Sequence, residues 1–301
     1  MKKILPRLVA AFFLVCALGA HAADGDKPSP QQAELDAAYK AAQDTHQSGP
    51  ADIAMRDQAH LKLPAGYLWI PQPAAGQLMQ AMGNRVDDSF VGAIFPADEG
   101  NWFVVVKFVK EGYIKDDDAK DWNADELLTS LREGTEAANE ERAKRGIGAI
   151  EVVGWAQKPQ YDTATHRLAW SALTRGKGDT SGEQGVNYNT YALGREGYIS
   201  LNLVTAANAL EKYKPDAMAL LGALQYDEGR RYADFNSSTD KVAAYGLTAL
   251  VAGAAAKKLG LLAVVAAFLA KFAKVAIVAG GAAVWGFAKL FGKKKSEAPK
   301  A

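Results

Sequence analysis

The densest set of chemistry-bearing side chains is Asp116-Asp117-Asp118, with Asp121, Asn123, Asp125 and Glu126 close behind. Oxygen ligands at alternating positions are what Ca²⁺ takes, so a cation loop is the first chemistry to test. The spacing does not meet it, because no glycine supplies the turn after the third ligand and no glutamate closes the loop. Acids gathered ahead of a helix satisfy its N-terminus, and that reading accounts for the run. The histidines beyond residue 22, His46, His60 and His166, stand far apart, with no H-E-x-x-H pair. His166 falls in a stretch, 161–167, that reads as a hairpin turn. No G-x-S-x-G occurs, and Ser171 lies inside an expected strand with no helix after it. The glycines form neither G-x-G-x-x-G nor a P-loop. No catalytic set, metal site or cofactor is expected from these patterns.

Two aromatic-polar stretches are more suggestive. Asn187-Tyr188-Asn189-Thr190-Tyr191 and residues 226–235 mix rings with hydrogen-bonding groups. Such mixtures suit recognition surfaces, and they equally suit half-exposed strands whose rings pack across the sheet. The candidate surface residues are therefore Asp116, Asp118, Asp121, His166, Asn187, Tyr188, Arg195, Tyr232 and Asp234. Residues 232–240 also join the polar part of the chain to its apolar end.

The elements that must position these groups can be read from periodicity and punctuation. Ser29-Pro30 opens a helix over 31–47, with proline at its first position. Residues 61–73 are short extended pieces broken by Pro64, Gly66, Pro71 and Pro73, and 74–82 is a short helix stopped by Gly83-Asn84. Strands follow over 91–95 and 102–109, the second nearly all apolar, as in a central strand. Residues 125–145 form a helix with acids in its first turn, bases in its last and Gly146 after it. Further strands are expected over 150–157, 167–174, 187–193 and 198–205, joined at 176–185 and 194–197, and a short helix over 215–224. Strands in runs, without βαβ alternation, predict an α+β fold with a mainly antiparallel sheet and a few helices.

The two ends are of another kind. Lys2, Lys3 and Arg7, an apolar run over 8–19 and Ala20-His21-Ala22 form the three parts of a bacterial secretory signal. That run is about a dozen residues, short of the ~20 of a spanning helix; an uncleaved anchor is the alternative. The only cysteine, Cys16, lies inside this signal, so the mature chain has no disulfide and no thiolate chemistry. Val15 before it is too bulky for a lipidation site. From 242 to 291 the chain is mostly Ala, Leu, Val, Phe and Gly, broken by Lys257, Lys258, Lys271, Lys274 and Lys289. A central lysine costs roughly 2.5–3.5 kcal/mol in a spanning helix, less when it snorkels. Favoured is one transmembrane helix near 261–288 with its lysines sequestered; a bent hairpin and a helix lying in the interface are the alternatives. Val242, Leu262, Val275 and Trp285 mark this anchor, and Lys293-Lys294-Lys295 places its end on the cytoplasmic side. The expected division is a signal over 1–22, a linker and helix over 23–60, a periplasmic domain over 61–240, an anchor over 241–292 and a basic tail over 293–301.

Charge follows the same division. Residues 23–240 hold 22 Lys and Arg against 33 Asp and Glu, a net −11, whereas 241–301 hold 10 Lys against one Glu, a net +9. An acidic domain disfavours nucleic acid, which needs a cationic surface. The basic apolar end suits a bilayer with anionic lipid.

Several stretches together resemble a known family. They are Gly112-Tyr113-Ile114 with 116–119, 123–128, Ala138-Asn139 with Arg142, and Gly154-Trp155-Ala156 with Pro159 and Tyr161-Asp162. His166-Arg167-Leu168 with Trp170, 187–189 with Leu193-Gly194-Arg195, and 232–235 with 240–246 complete the set. The chain resembles, over roughly residues 60–250, an uncharacterised bacterial family of membrane-anchored proteins carrying domain of unknown function 2167. The resemblance implies an exported domain with a C-terminal anchor, and brings no activity, cofactor or catalytic residue.

The sequence thus favours a non-enzymatic domain, held in the periplasm on the inner membrane, that binds an envelope protein or self-associates through its C-terminal helices. The alternatives are an envelope hydrolase using the Asp116–Glu126 acids or His166, and a membrane-active, oligomerising C-terminal element. Reporter fusions check the topology: alkaline phosphatase joined after Gly246 should be active, and joined after Lys295 inactive. Activity at both points would remove the odd number of crossings.

Overall fold

The computed structural model describes residues 30–144 and 146–252. The expected signal, with residues 1–29, lies outside these, as do the anchor positions Leu262, Val275 and Trp285. Helices are α1 (Pro30–Thr45), α2 (Ala74–Ala81), α3 (Ala124–Lys144), α4 (Leu210–Ala223) and α5 (Thr248–Ala252). Strands are β1 (Gln47–Ser48), β2 (Ala51–Met55), β3 (Ala59–Leu63), β4 (Tyr67–Pro71), β5 (Phe90–Pro96) and β6 (Trp102–Val109). They continue with β7 (Ile150–Asp162), β8 (Arg167–Gly176), β9 (Gly185–Leu193), β10 (Tyr198–Ala206) and β11 (Leu224–Tyr226).

Eight strands form one sheet in the order β1-β4-β5-β6-β10-β9-β8-β7, and three form a small sheet in the order β11-β3-β2. The paired strands of both sheets are antiparallel, as expected for the α+β class. Side chains alternate between faces with a period of two, and the alternation assigns the cores. Trp69, Ile94, Val104, Val106, Leu201 and Leu203 point to one face, which α4 and the small sheet close. On the other face, Leu68, Ile70, Ala93 and Phe95 pack under α1 and α2. Further along that face, Leu168, Trp170 and Ala172 pack with Leu127 of α3 and Leu250 and Val251 of α5. Between these two covers the sheet face is open.

The edge strand β7 is managed by α3. Asn139 bonds both backbone groups of Ile150, at 2.8 and 3.0 Å, and Arg132 donates to the carbonyls of Val152 and Val153. Beyond that point Lys158, Pro159 and three register shifts blunt the edge against a further strand.

Three expectations need correction. The domain does not begin at residue 61, because β1 pairs with β4 and β2 with β3. Their shortness hid them: two and five residues carry no periodicity. α4 starts at Leu210 and runs through Pro215, rather than starting at the proline. The domain also continues past 240. Val242 bridges Tyr113 in parallel, and Leu247, Leu250 and Val251 are buried in the third core. Composition assigned these apolar residues to an anchor because it cannot tell a core from a bilayer. Among the described residues, no helix is long and apolar enough to cross a membrane.

Leu203 is fully buried beneath α4, while its neighbour Val204 lies half-buried on the opposite face. Leu203→Ala should therefore cost about 2–5 kcal/mol in urea unfolding, the range for a buried leucine. Val204→Ala should cost clearly less.

Candidate functional site

Six of the nine sequence-predicted residues, Asp116, Asp118, His166, Arg195, Tyr232 and Asp234, gather around the segment that leads into α5. After β11 the strap 227–247 runs back over the end of β6 and delivers α5. Asp118, on the short 3₁₀ turn Asp117–Asp121, accepts the N–H groups of Leu247 at 3.1 Å and Thr248 at 3.0 Å. A carboxylate there caps the helix start and favours its positive end. Trp122 Nε1 donates to Thr248 Oγ1 at 2.9 Å. Gly246 lies so close that a Cβ would stand 2.4 Å from the Asp118 carboxylate. Upstream, Tyr113 N–H donates to Lys241 O and Ala243 N–H to Tyr113 O, both at 2.8 Å. Gly112 has φ +101 and would put a Cβ 2.6 Å from Lys241 O, so only glycine serves there.

Arg195 and Asp240 form the second clamp. The guanidinium grips the carboxylate with two bonds, at 2.7 and 2.8 Å, and reaches Gly229 O at 3.2 Å. The Arg195 fork, helped by the Asn236 N–H, holds the Asp240 carboxyl well below the usual carboxylate range. Asp234 is also internal, accepting the Arg231 N–H at 3.0 Å. Three of the candidate polar residues, Asp118, Arg195 and Asp234, are thus spent on fixing the strap.

Asp116, His166 and Tyr232 do come together. Tyr161 donates its phenol hydrogen to Asp116 Oδ2 at 2.7 Å, and His166 Nδ1 lies 3.1 Å from the same phenol oxygen. His166 sits in the β7–β8 turn with φ +52, a conformation that costs a non-glycine residue and needs outside support. Its ring packs on Tyr232 at 4.1 Å; Tyr232 stacks on Tyr113 at 4.4 Å and Tyr113 on Phe235 at 3.9 Å. Tyr232 is buried, with its hydroxyl on Ile114 O at 2.9 Å, so it is no surface residue. Burial, and then the Asp116 carboxylate, push the Tyr161 phenol far up, so it serves as a donor and not as a nucleophile. A base held by a carboxylate is half of a catalytic arrangement; here the third member is this inert phenol. The four-ring column instead packs the strap against the hairpin.

Tyr188, expected at the surface, is buried in the core under α4, its hydroxyl 3.5 Å from Met218 Sδ. Asn187 is exposed on the opposite face of β9. Asp121 ends the turn before α3, whose cap is Asn123, accepting from the N–H of Asp125 at 3.0 Å and Glu126 at 3.3 Å.

The open part of the sheet forms a groove of about 580 Å³. Cross-strand rows Val105–Asn202–Asn189 and Lys107–Ser200–Tyr191 make its floor, and Asp87, Asp88, Ser89 and Glu111 stand around it. Sequence reasoning missed Lys107, Ser200 and Asn202. Their signal was the alternation in β10, where Ser200 and Asn202 interleave with Ile199, Leu201 and Leu203.

The family described as protein of unknown function (DUF2167) matches residues 47–281. This chain belongs to that family. The match starts at β1 and runs through the strap, so it includes the clamps just described. No curated protein matches the chain. Among solved structures it is similar to the solution structure of cyanobacterial PsbP (CyanoP) from Synechocystis sp. PCC 6803. That likeness has 11% identity over 61% of this chain and 92% of that one, with a TM-score of 0.36. The Protein Mog1 E65A mutant is similar at 10% identity, 58% and 94% coverage and a TM-score of 0.31.

The clamps set a linked prediction. Asp118→Ala should cost about 1–2 kcal/mol, as lost helix caps do, and speed hydrogen exchange at 241–248 without affecting β6 or β10. Because Asp240 is depressed when folded, its contribution is complete above the ordinary carboxylate range and is lost as pH falls through the lower folded value. Strap protection against exchange, corrected for intrinsic rates, should therefore stay level from neutral pH into mild acid and collapse only in stronger acid. Arg195→Met should move that collapse to higher pH.

Proposed function

We propose that this protein is a membrane-tethered periplasmic domain that binds a partner of the cell envelope and performs no reaction on it. The observation that carries the reading is the double clamp on the strap. Asp118 and Arg195 fix the segment that leads from the domain to the apolar, lysine-broken C-terminal region. A tether that served only to retain the domain would need no such fixation, since loose linkers are the cheaper connection. A fixed exit suits a domain whose orientation on the bilayer matters to what it meets.

The secretion-type N-terminus and the charge division support the same reading. The acidic domain is repelled by anionic lipid, while the basic end is attracted to it. The partners would be the bilayer, through residues beyond 252, and an envelope protein or a second copy of the chain. Use of the polar candidates in the strap and ring column favours this over hydrolysis.

Two measurements test it. The full chain should sediment with inner membranes and resist a high-salt wash, whereas a chain ending at Ala252 should be released into the periplasm. A photo-crosslinking residue at Asn187 on the open face should give one recurrent adduct in living cells, and at Lys212 on the opposite side none. A soluble full chain would sink the tethered reading, and equal labelling at both positions the recognition reading.

A further inference from the structure

The open groove has both a charge and a hydrogen-bonding preference. Asp87, Asp88 and Glu111 stand at it against one cation, Lys107, which already pairs with Asp87 at 3.1 Å. Two carboxylates are left over, and the site carries net negative charge. Its floor is built from amide and hydroxyl side chains, Asn189, Ser200 and Asn202, between Val105 and Tyr191. The two spare carboxylates ask for a complement that is positively charged and rich in hydrogen-bond donors. Lysine and arginine side chains have donors only.

The floor spans three adjacent strands, β6, β10 and β9, flanked by the α1–α2 cover on one side and the α3–α5 cover on the other. Neighbouring strands lie about 4.8 Å apart, so the floor is about 10 Å across between its outer strands, room for one polypeptide segment. One end reaches the strap: Glu111 acts on the Tyr245 phenol, whose titration is raised by burial first and by this carboxylate second.

We infer that the groove binds a basic segment of a partner protein, its lysine or arginine held by Asp88 and Glu111. This rests on the recognition reading and names its site. Because Glu111 stands two residues before Tyr113, which pairs with the strap at Lys241 and Ala243, the occupant lies next to the part of the domain that holds the strap.

The test uses the full chain in lipid nanodiscs and a fluorescent peptide, Ser-Lys-Ser-Lys-Ser, read by anisotropy. A Ser-Glu-Ser-Glu-Ser peptide and the neutral glycan chitotetraose serve as competitors. Combined Asp88→Asn and Glu111→Gln should weaken lysine-peptide binding about tenfold or more, as for paired charges at interfaces. Glu133→Gln with Glu140→Gln on α3, an equal loss of charge elsewhere, should change it less than about twofold, the usual weight of remote surface charge. Equal weakening by both pairs would reduce the binding to general attraction and overturn the site. Absence of peptide binding, or displacement by chitotetraose, would overturn the basic-segment assignment while leaving membrane tethering, tested by sedimentation, intact.

Discussion

The pairing of β6 with β10 is the constraint on which the rest depends. Eight consecutive pairs, from Val109 opposite Tyr198 to Trp102 opposite Thr205, fix which side chains face which layer. A slip of one residue would turn one strand over against the other and put either Lys107 or Ser200 and Asn202 into the α4 core. The apolar set Val104, Val106, Leu201 and Leu203 prevents it, because burying them is worth far more than any surface contact. The same strand then continues through Glu111 and Gly112 into Tyr113, where the strap pairs with it. One stretch of chain thus sets the core, lays the groove floor and receives the strap.

Much of the domain's polarity is used inward. Asp118 replaces the missing partners at the start of α5, and Arg195 with Asp240 ties the strap by a planar, two-bond fork that lysine could not reproduce. His166 tolerates a backbone conformation that disfavours most residues because Tyr161 and Tyr232 hold its ring. The result is a tied-down end to the domain, beside a groove whose floor carries amide and hydroxyl side chains.

Local structure was largely legible. Helices and strands with clear periodicity or end signals, α2, α3 and β5 to β10, lie within a few residues of their expected bounds. Patterns failed where the segment was too short, as in β1 and β2, or where a residue type misled, as Pro215 did inside α4. The apolar segment 247–252 misled in another way. Its composition is the same whether it is buried by protein or by lipid, and only its contacts with α3 and Ile114 distinguish the two.

The site divides along the same line. Sequence alone determined the α+β class, the acidic domain with its basic apolar end, and the family. It could not say that Asp118 and Thr248 meet, since 130 residues separate them and no local pattern records the contact. Nor could it say that Tyr188 faces inward while Asn187 beside it faces out, because that depends on which layer each side of β9 meets. Propensity, capping and alternation act over a few residues and are written in the chain. Which faces are covered, and which carboxylate finds which amide, is decided only when distant segments compete for the same buried space.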